Sequence, residues 1–183
     1  SDRRTKQSEA ILAMVQDGAS NAEILLAYPS TMNHLPRIDQ TRQTLLEEQY
    51  RRKFRKQEVT YLYGKTGVGK TRSVLEKYGY ENVYRVTNYQ HPFDSYKGEP
   101  VLLFDEFRSS LPFGDMLNYL DGYPLMLPSR YADKAACYTE VYLVSNIPLE
   151  KQYPNVQQEE PESWKAFQRR IHHCYELLSE EDI

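Results

Sequence analysis

Gly64-Lys65-Thr66-Gly67-Val68-Gly69-Lys70-Thr71 has the spacing Gly, four residues, Gly-Lys-Thr. A backbone that wraps a polyphosphate needs positions without side chains, and Gly64, Gly67 and Gly69 supply them. Consecutive N–H groups then face anionic oxygens, and a helix opening near Lys70 adds its positive end. Lys70 is placed to neutralise charge between the β- and γ-phosphates, and Thr71 to offer its hydroxyl to Mg²⁺. Lys65, Thr66 and Val68 belong to the same cradle. The competing reading is a flexible Gly-rich turn, and the flanks argue against it. Residues 59–63, Val-Thr-Tyr-Leu-Tyr, are β-branched and aromatic, as a buried strand requires, and residues 70–77 read as a helix. Strand, Gly-rich loop and helix form the setting that the motif needs.

Two further apolar runs end in polar groups. Val101-Leu102-Leu103-Phe104 leads into Asp105-Glu106. Adjacent carboxylates at a buried strand tip are costly unless something there requires charge. Beside a phosphate loop, Asp105 is expected to help hold Mg²⁺ and Glu106 to orient and deprotonate an attacking water. The bland alternative is a strand end turning into solvent. Val141-Tyr142-Leu143-Val144-Ser145 leads into Asn146, expected to sense a γ-phosphate or the lytic water. Asn146 also suits a turn before Pro148.

The chain has 183 residues, enough for one domain with a small appendage. Net charge is −3, so bulk electrostatics select no partner. Its distribution is uneven. Residues 51–56 pack five cations into six positions, read as the solvated end of a helix or as a subunit or DNA contact. Residues 150–183 carry eight acids against four bases. Two cysteines, Cys137 and Cys174, lack CxxC spacing, which argues against a disulfide framework or zinc site. No apolar run approaches 18 residues, so no membrane partner is expected.

Residues 1–56 read as a helical domain. Ile11, Leu12 and Val15 share a face over 8–16, and Ser20 with Glu23 forms a capping box for a short helix to Tyr28. Ser30 or Thr31 is expected to cap a third segment that Pro36 breaks or kinks, with a charged helix over 38–56. Residues 57–183 alternate strand and helix, an α/β signature. Expected strands are 59–63, 82–86, 101–105, 140–145 and 172–177; expected helices include 70–77, 113–120 and 162–167. The stretch 148–161 reads as loop.

The set GKTGVGKT, LLFDEF and YLVSN, in that order within 90 residues, resembles a superfamily 3 helicase. More narrowly, it is similar to the helicase domain of rolling-circle replication initiator (Rep) proteins from circular single-stranded DNA viruses and related bacterial plasmids. Phe93-Asp94-Ser95-Tyr96-Lys97-Gly98-Glu99 and Leu120-Asp121-Gly122-Tyr123-Pro124-Leu125 fit the same pattern. The resemblance spans roughly residues 59–178. It implies a modified AAA+ fold, with a central, mostly parallel five-stranded sheet flanked by helices, after a small all-helical oligomerisation collar. It also implies ATP and Mg²⁺ as ligands and a hexameric ring of identical subunits translocating on single-stranded DNA.

The family places a β-hairpin between the second and third stations, and Arg130 falls at its basic position. The family's Lys-Gly-Gly is Arg130-Tyr131-Ala132 here, so Tyr131 is expected to stack a base and Lys134 to share the contact. An arginine given to the neighbouring subunit's site matches Arg170, with Arg169 as the near alternative. The family's nuclease signature, a His-hydrophobe-His pair with a catalytic Tyr, is not found; His172-His173 is read as structural. A nuclease domain is therefore expected upstream of Ser1 in a longer parent. A viral parent would act in a host nucleus, a plasmid parent in bacterial cytoplasm. Other readings are an RNA helicase, another P-loop remodelling NTPase, a monomeric P-loop kinase and a non-catalytic DNA-binding oligomer.

Overall fold

The computed structural model describes residues 2–179, so the acids at 180–182 lie outside the described residues. The chain divides into two compact units, Ser1–Gln49 and Tyr50–Ile183.

The first unit is helical. Helix α1 spans Asp2–Gln16, α2 spans Asn21–Ala27, a short 3₁₀ turn covers Pro29–Asn33, and α3 runs Leu35–Tyr50. Ser20 caps α2, its hydroxyl accepting from the Glu23 N–H at 3.1 Å. Val15, Ile24 and Ile38 form a small core with Ile11, Met14, Leu35 and Leu45 against it. Two expectations are corrected here. Pro36 does not break a helix; it sits in the first turn of α3, where a missing N–H costs nothing. The helix also stops at Tyr50, so the basic run 51–56 is not a helix end. Arg55 of that run is only 2% exposed. Its guanidinium donates to the carbonyls of Tyr138 and Tyr123 at 2.5 and 3.2 Å and lies over the Tyr138 ring.

The second unit is built on a parallel sheet. Strand β1 spans Glu58–Tyr63, α4 Lys70–Tyr78, β2 Val83–Val86 and β3 Val101–Phe104. Helix α5 spans Phe113–Tyr119, and the hairpin strands β4 and β5 cover Met126–Leu127 and Lys134–Ala135. Strand β6 spans Glu140–Ser145, α6 Pro154–Glu159, α7 Pro161–Arg170 and β7 His173–Glu176. The order is β2-β3-β6-β1-β7, and every neighbouring pair is parallel. This is the five-stranded parallel sheet that the resemblance implies, on the α/β alternation read from the residues. The loop read over 148–161 instead contains α6 and starts α7.

Alternation along the strands sends side chains to both faces, as a doubly covered sheet requires. Leu102, Phe104, Val141 and Leu143 enter a large aromatic core with Phe93, Tyr96, Phe107, Met116 and Phe167. Val101, Leu103, Tyr142 and Val144 pack with Leu62 and Val74, the latter on α4. Met116 and Leu120 are buried and Phe113 and Leu117 pack behind them, so the stripe read on 113–120 is a core face. The strand order decides the rest. β3, β6 and β1 are adjacent and parallel, so their C-terminal ends lie side by side. Open parallel sheets bind ligands at such ends, where the chain leaves in two directions. Among the described residues no helix is long and apolar enough to cross a membrane.

Candidate phosphate-binding site

The loop from β1 to α4 turns where its glycines permit. Gly69 opens α4 at φ +86°, a left-handed conformation that strains other residues. Gly64 lies so close to the Leu177 carbonyl that a Cβ would fall 2.3 Å from it. That approach lets the loop leave the sheet beneath the end of β7.

Lys70 is 7% exposed and saturated. Its Nζ donates to the carbonyls of Gly64 and Lys65 at 2.7 and 2.8 Å and to Asn146 Oδ1 at 3.1 Å. Burial pulls the ammonium below its usual range, against the opposing pull of Asp105 and Glu106. Asn146, from the end of β6, thus touches the same cation that the phosphate loop presents.

Asp105 is 4% exposed and accepts from three sides. Oδ1 receives the Thr71 hydroxyl at 2.7 Å and the Glu106 N–H at 3.0 Å. Oδ2 receives Arg85 Nε at 2.5 Å. Its backbone carbonyl accepts from the Tyr89 hydroxyl at 2.5 Å, and burial pushes that phenol up. Glu106 itself is exposed and holds φ +46°, a backbone conformation rare outside glycine. Such strain persists only where surroundings enforce it, and it gathers at functional positions.

The loop that follows Glu106 is fastened from within. Gln152 is fully buried, and its Nε2 lies 2.9 Å from Tyr61 Oη, 3.0 Å from the Phe107 carbonyl and 3.2 Å from Ser145 Oγ. Its Oε1 accepts from the Ser109 N–H at 2.6 Å and from the Ser109 hydroxyl at 3.0 Å. Ser145 donates to the Phe107 carbonyl, and Tyr61 to that of Ile147. One amide therefore ties the end of β6 to the Glu106–Ser110 loop and to β1.

The result is a cleft of about 280 Å³. Thr66, Gly67, Gly69, Lys70, Thr71, Arg85, Asp105, Glu106 and Asn146 line it. It offers an ammonium, a loop of backbone donors, and one hydroxyl beside one carboxylate. That last pair suits a hard oxygen-seeking cation such as Mg²⁺, which takes few protein ligands and fills its shell with phosphate and water. Among the described residues no three His, Cys, Asp or Glu side chains cluster to form an all-protein cage.

The sequence-based residues for other roles lie elsewhere. Arg130, in the turn between β4 and β5, is engaged by Asp94: Nε to Oδ2 at 2.7 Å and backbone N–H to Oδ1 at 3.1 Å. Tyr131 beside it is 85% exposed, while Lys134 is half-buried in β5. Arg170 donates to the carbonyls of Leu117 and Ala166 and lies 3.9 Å from Asp121 Oδ2. Arg169 next to it is exposed. His172 Nδ1 accepts the Val59 N–H, and His173 meets Glu58 at 3.2 Å, so both serve the sheet edge. Arg85, Tyr89 and Gln152 escaped sequence reasoning, and Asp94 is read only as part of the stretch 93–99, without a partner. The first three lie in no motif, and of them only the arginine in β2, whose other residues are apolar or aromatic, gave a signal.

Residues 60–146 match the family model described as RNA helicase. The replication-associated protein of beak and feather disease virus is 34% identical over 98 residues, 54% of this chain and 33% of that protein. That of canary circovirus is 31% identical over 98 residues, with the same shares. That of goose circovirus is 31% identical over 109 residues, 59% of this chain and 36% of that protein. The matched stretch spans about a third of the length of these relatives. Among solved structures, the ADP complex of Hsp104 from S. cerevisiae aligns with a TM-score of 0.43 at 18% identity. That alignment covers 94% of this chain and 36% of Hsp104.

Proposed function

For a chain whose P-loop domain is similar to the RNA helicase family and to circovirus replication-associated proteins, we propose an ATP-driven DNA helicase module. In this reading it works as a ring of identical subunits, six by the family's habit, and translocates on single-stranded DNA. One observation carries the ATPase part. Lys70, Thr71, Asp105, Glu106 and Asn146 come from three separate strand ends and converge on one cleft.

The position of each group supports a role in this reading. The loop 64–71 binds the β- and γ-phosphates through its backbone N–H groups, and Lys70 exchanges carbonyl partners for phosphate oxygens. Thr71 and Asp105 would hold Mg²⁺, which supplies charge neutralisation across the phosphates. Glu106, fixed at its positive φ and open to solvent, orients a water and accepts its proton. Asn146 contacts Lys70 and so reads the phosphate that Lys70 holds. Arg169 suits the arginine offered to a neighbouring subunit better than Arg170, whose guanidinium is spent on Leu117, Ala166 and Asp121. Tyr131, Arg130 and Lys134 present an aromatic ring and cations to the strand.

The test is hydrolysis in mixed assemblies. Lys70→Ala chains mixed with Arg169→Ala chains should regain ATPase activity through hybrid interfaces, and DNA should stimulate it. Full-speed turnover by a lone, concentration-independent molecule would sink the shared site. A second reading, an RNA helicase, draws on the description of the matching family. Stimulation by single-stranded RNA and not by DNA of equal length would select it.

A further inference from the structure

Arg85 stands where the metal's carboxylate is. Strand β2 is short, Val83-Tyr84-Arg85-Val86, and its pairing with β3 sets Arg85 level with Leu103, two residues before Asp105. The side chain is 49% exposed and reaches along the strand end into the cleft. Its Nε meets Asp105 Oδ2 at 2.5 Å, while Oδ1 is taken by Thr71 and the Glu106 N–H. Both oxygens of this buried carboxylate are therefore engaged by the protein itself.

A divalent cation drawn to Thr71 and Asp105 arrives beside that guanidinium, and like charges at such a distance repel. Lys70 is the wrong cation to leave: it is buried within the phosphate loop, and any carbonyl it releases is replaced by phosphate in the same place. Arg85 is the one to move, because half of its side chain is in solvent and Asp105 is the carboxylate that holds it. Once displaced, a guanidinium in this cleft seeks the strongest anion in reach. A terminal phosphate fits it best, through two parallel N–H···O bonds.

Resting on the nucleotide-site reading above, we propose that Arg85 is the metal's exchange partner. It holds Asp105 before nucleotide binds and turns onto the terminal phosphate of a nucleoside triphosphate when the metal takes Asp105 over. Two properties follow. The site discriminates triphosphate from diphosphate through Arg85, because only the triphosphate offers the displaced guanidinium its anion. The site also resists metal without triphosphate, because Arg85 occupies the carboxylate.

Binding, not turnover, tests this. Fluorescent mant-ATP and mant-ADP are titrated by anisotropy into the wild-type chain, Arg85→Ala and Arg85→Lys, from EDTA to millimolar Mg²⁺. Arg85→Ala should lose about tenfold of the preference for mant-ATP over mant-ADP. It should also need less Mg²⁺ for half-maximal mant-ADP binding. Arg85→Lys keeps a cation on Asp105, so it preserves the fold and should retain an intermediate preference. An Arg85→Lys chain with the wild-type ratio and the wild-type Mg²⁺ midpoint, matched by a folded Arg85→Ala chain, overturns the proposal and leaves the nucleotide site standing. If the wild type binds neither nucleotide and behaves as Lys70→Ala does, the nucleotide site itself falls, and this assignment with it.

Discussion

Asp94 grips Arg130 twice, accepting its backbone N–H at 3.1 Å and its guanidinium at 2.7 Å. Ser129 adds its hydroxyl to the same carboxylate at 3.2 Å. The turn between β4 and β5 is thereby fastened to the segment before β3, and its arginine is occupied. For Arg130 to hold a nucleic-acid phosphate, it must leave Asp94 or share it.

Asp94→Asn should therefore tighten single-stranded DNA binding several-fold at low salt, by freeing a cation and removing an anion. Arg130→Ala should weaken it and lower the slope of log affinity against log salt by about 1. Fluorescence anisotropy over a salt series reads both. Equal affinity in all three chains would remove the hairpin from the strand's path.

The same clamp has a pH signature. Bonds from Arg130 hold the Asp94 carboxyl below the usual carboxylate range. The folded value lies under the unfolded one, so the clamp's contribution is complete above the ordinary aspartate value near 4. It is lost as pH falls through the folded value. A carboxyl-detected NMR titration should place the Asp94 midpoint below that of a free aspartate, and Arg130→Ala should move it back up.

Two carboxylate and amine variants separate binding from chemistry. Lys70→Ala should lower hydrolysis by about 10²–10³ and weaken ATP binding, since it removes a charge that meets developing negative charge. Glu106→Gln should bind ATP as the wild type does and lose about 10²–10⁴ in turnover. Equilibrium binding beside single-turnover hydrolysis distinguishes them. Normal turnover by Glu106→Gln would assign the water to another group.

Gln152→Leu should destabilise the second unit by about 2–4 kcal/mol, because Ser109, Tyr61 and Ser145 lose their common buried partner. Its melting temperature should fall by several degrees, and turnover should fall further than ATP affinity as the Glu106 loop relaxes. Wild-type melting would show that water replaces the amide.

Glycine substitutions offer a contrast in sign. A Cβ on Gly122 would fall 2.2 Å from the buried Arg55 carbonyl, so Gly122→Ala should cost about 1–3 kcal/mol. A Cβ on Gly114, in the first turn of α5, meets nothing within 4 Å. Gly114→Ala should gain up to about 0.5–1 kcal/mol. Denaturant unfolding of the two variants decides whether backbone proximity or propensity governs each position.

The phosphate loop, the Asp105-Glu106 tip and Asn146 were legible because each is a contiguous run whose chemistry is local. Glycines next to Lys70-Thr71 mean the same thing wherever the strand before them lies, and an apolar strand ending in acids declares its own cost. The strand positions followed from the same runs, and their parallel pairing from the resemblance those runs carry. Helix limits were less legible: Pro36 reads as a breaker in isolation and becomes a first-turn residue once α3 starts at Leu35. The basic run read as a solvated surface, but Arg55 is buried against Tyr138, a partner 83 positions away that no periodicity reveals.

Tertiary structure alone decided how these runs are wired together. The order β2-β3-β6-β1-β7 sets Arg85 against Asp105 and Asn146 on Lys70, and the fold brings Gln152 to Ser109. It also brings Arg170 to the Leu117 carbonyl, a contact within its own chain that the motif does not announce. The physical reason is range. A motif states which groups can meet phosphate, whereas charge pairing and buried hydrogen bonds act over a few ångströms between segments whose proximity the sheet alone creates.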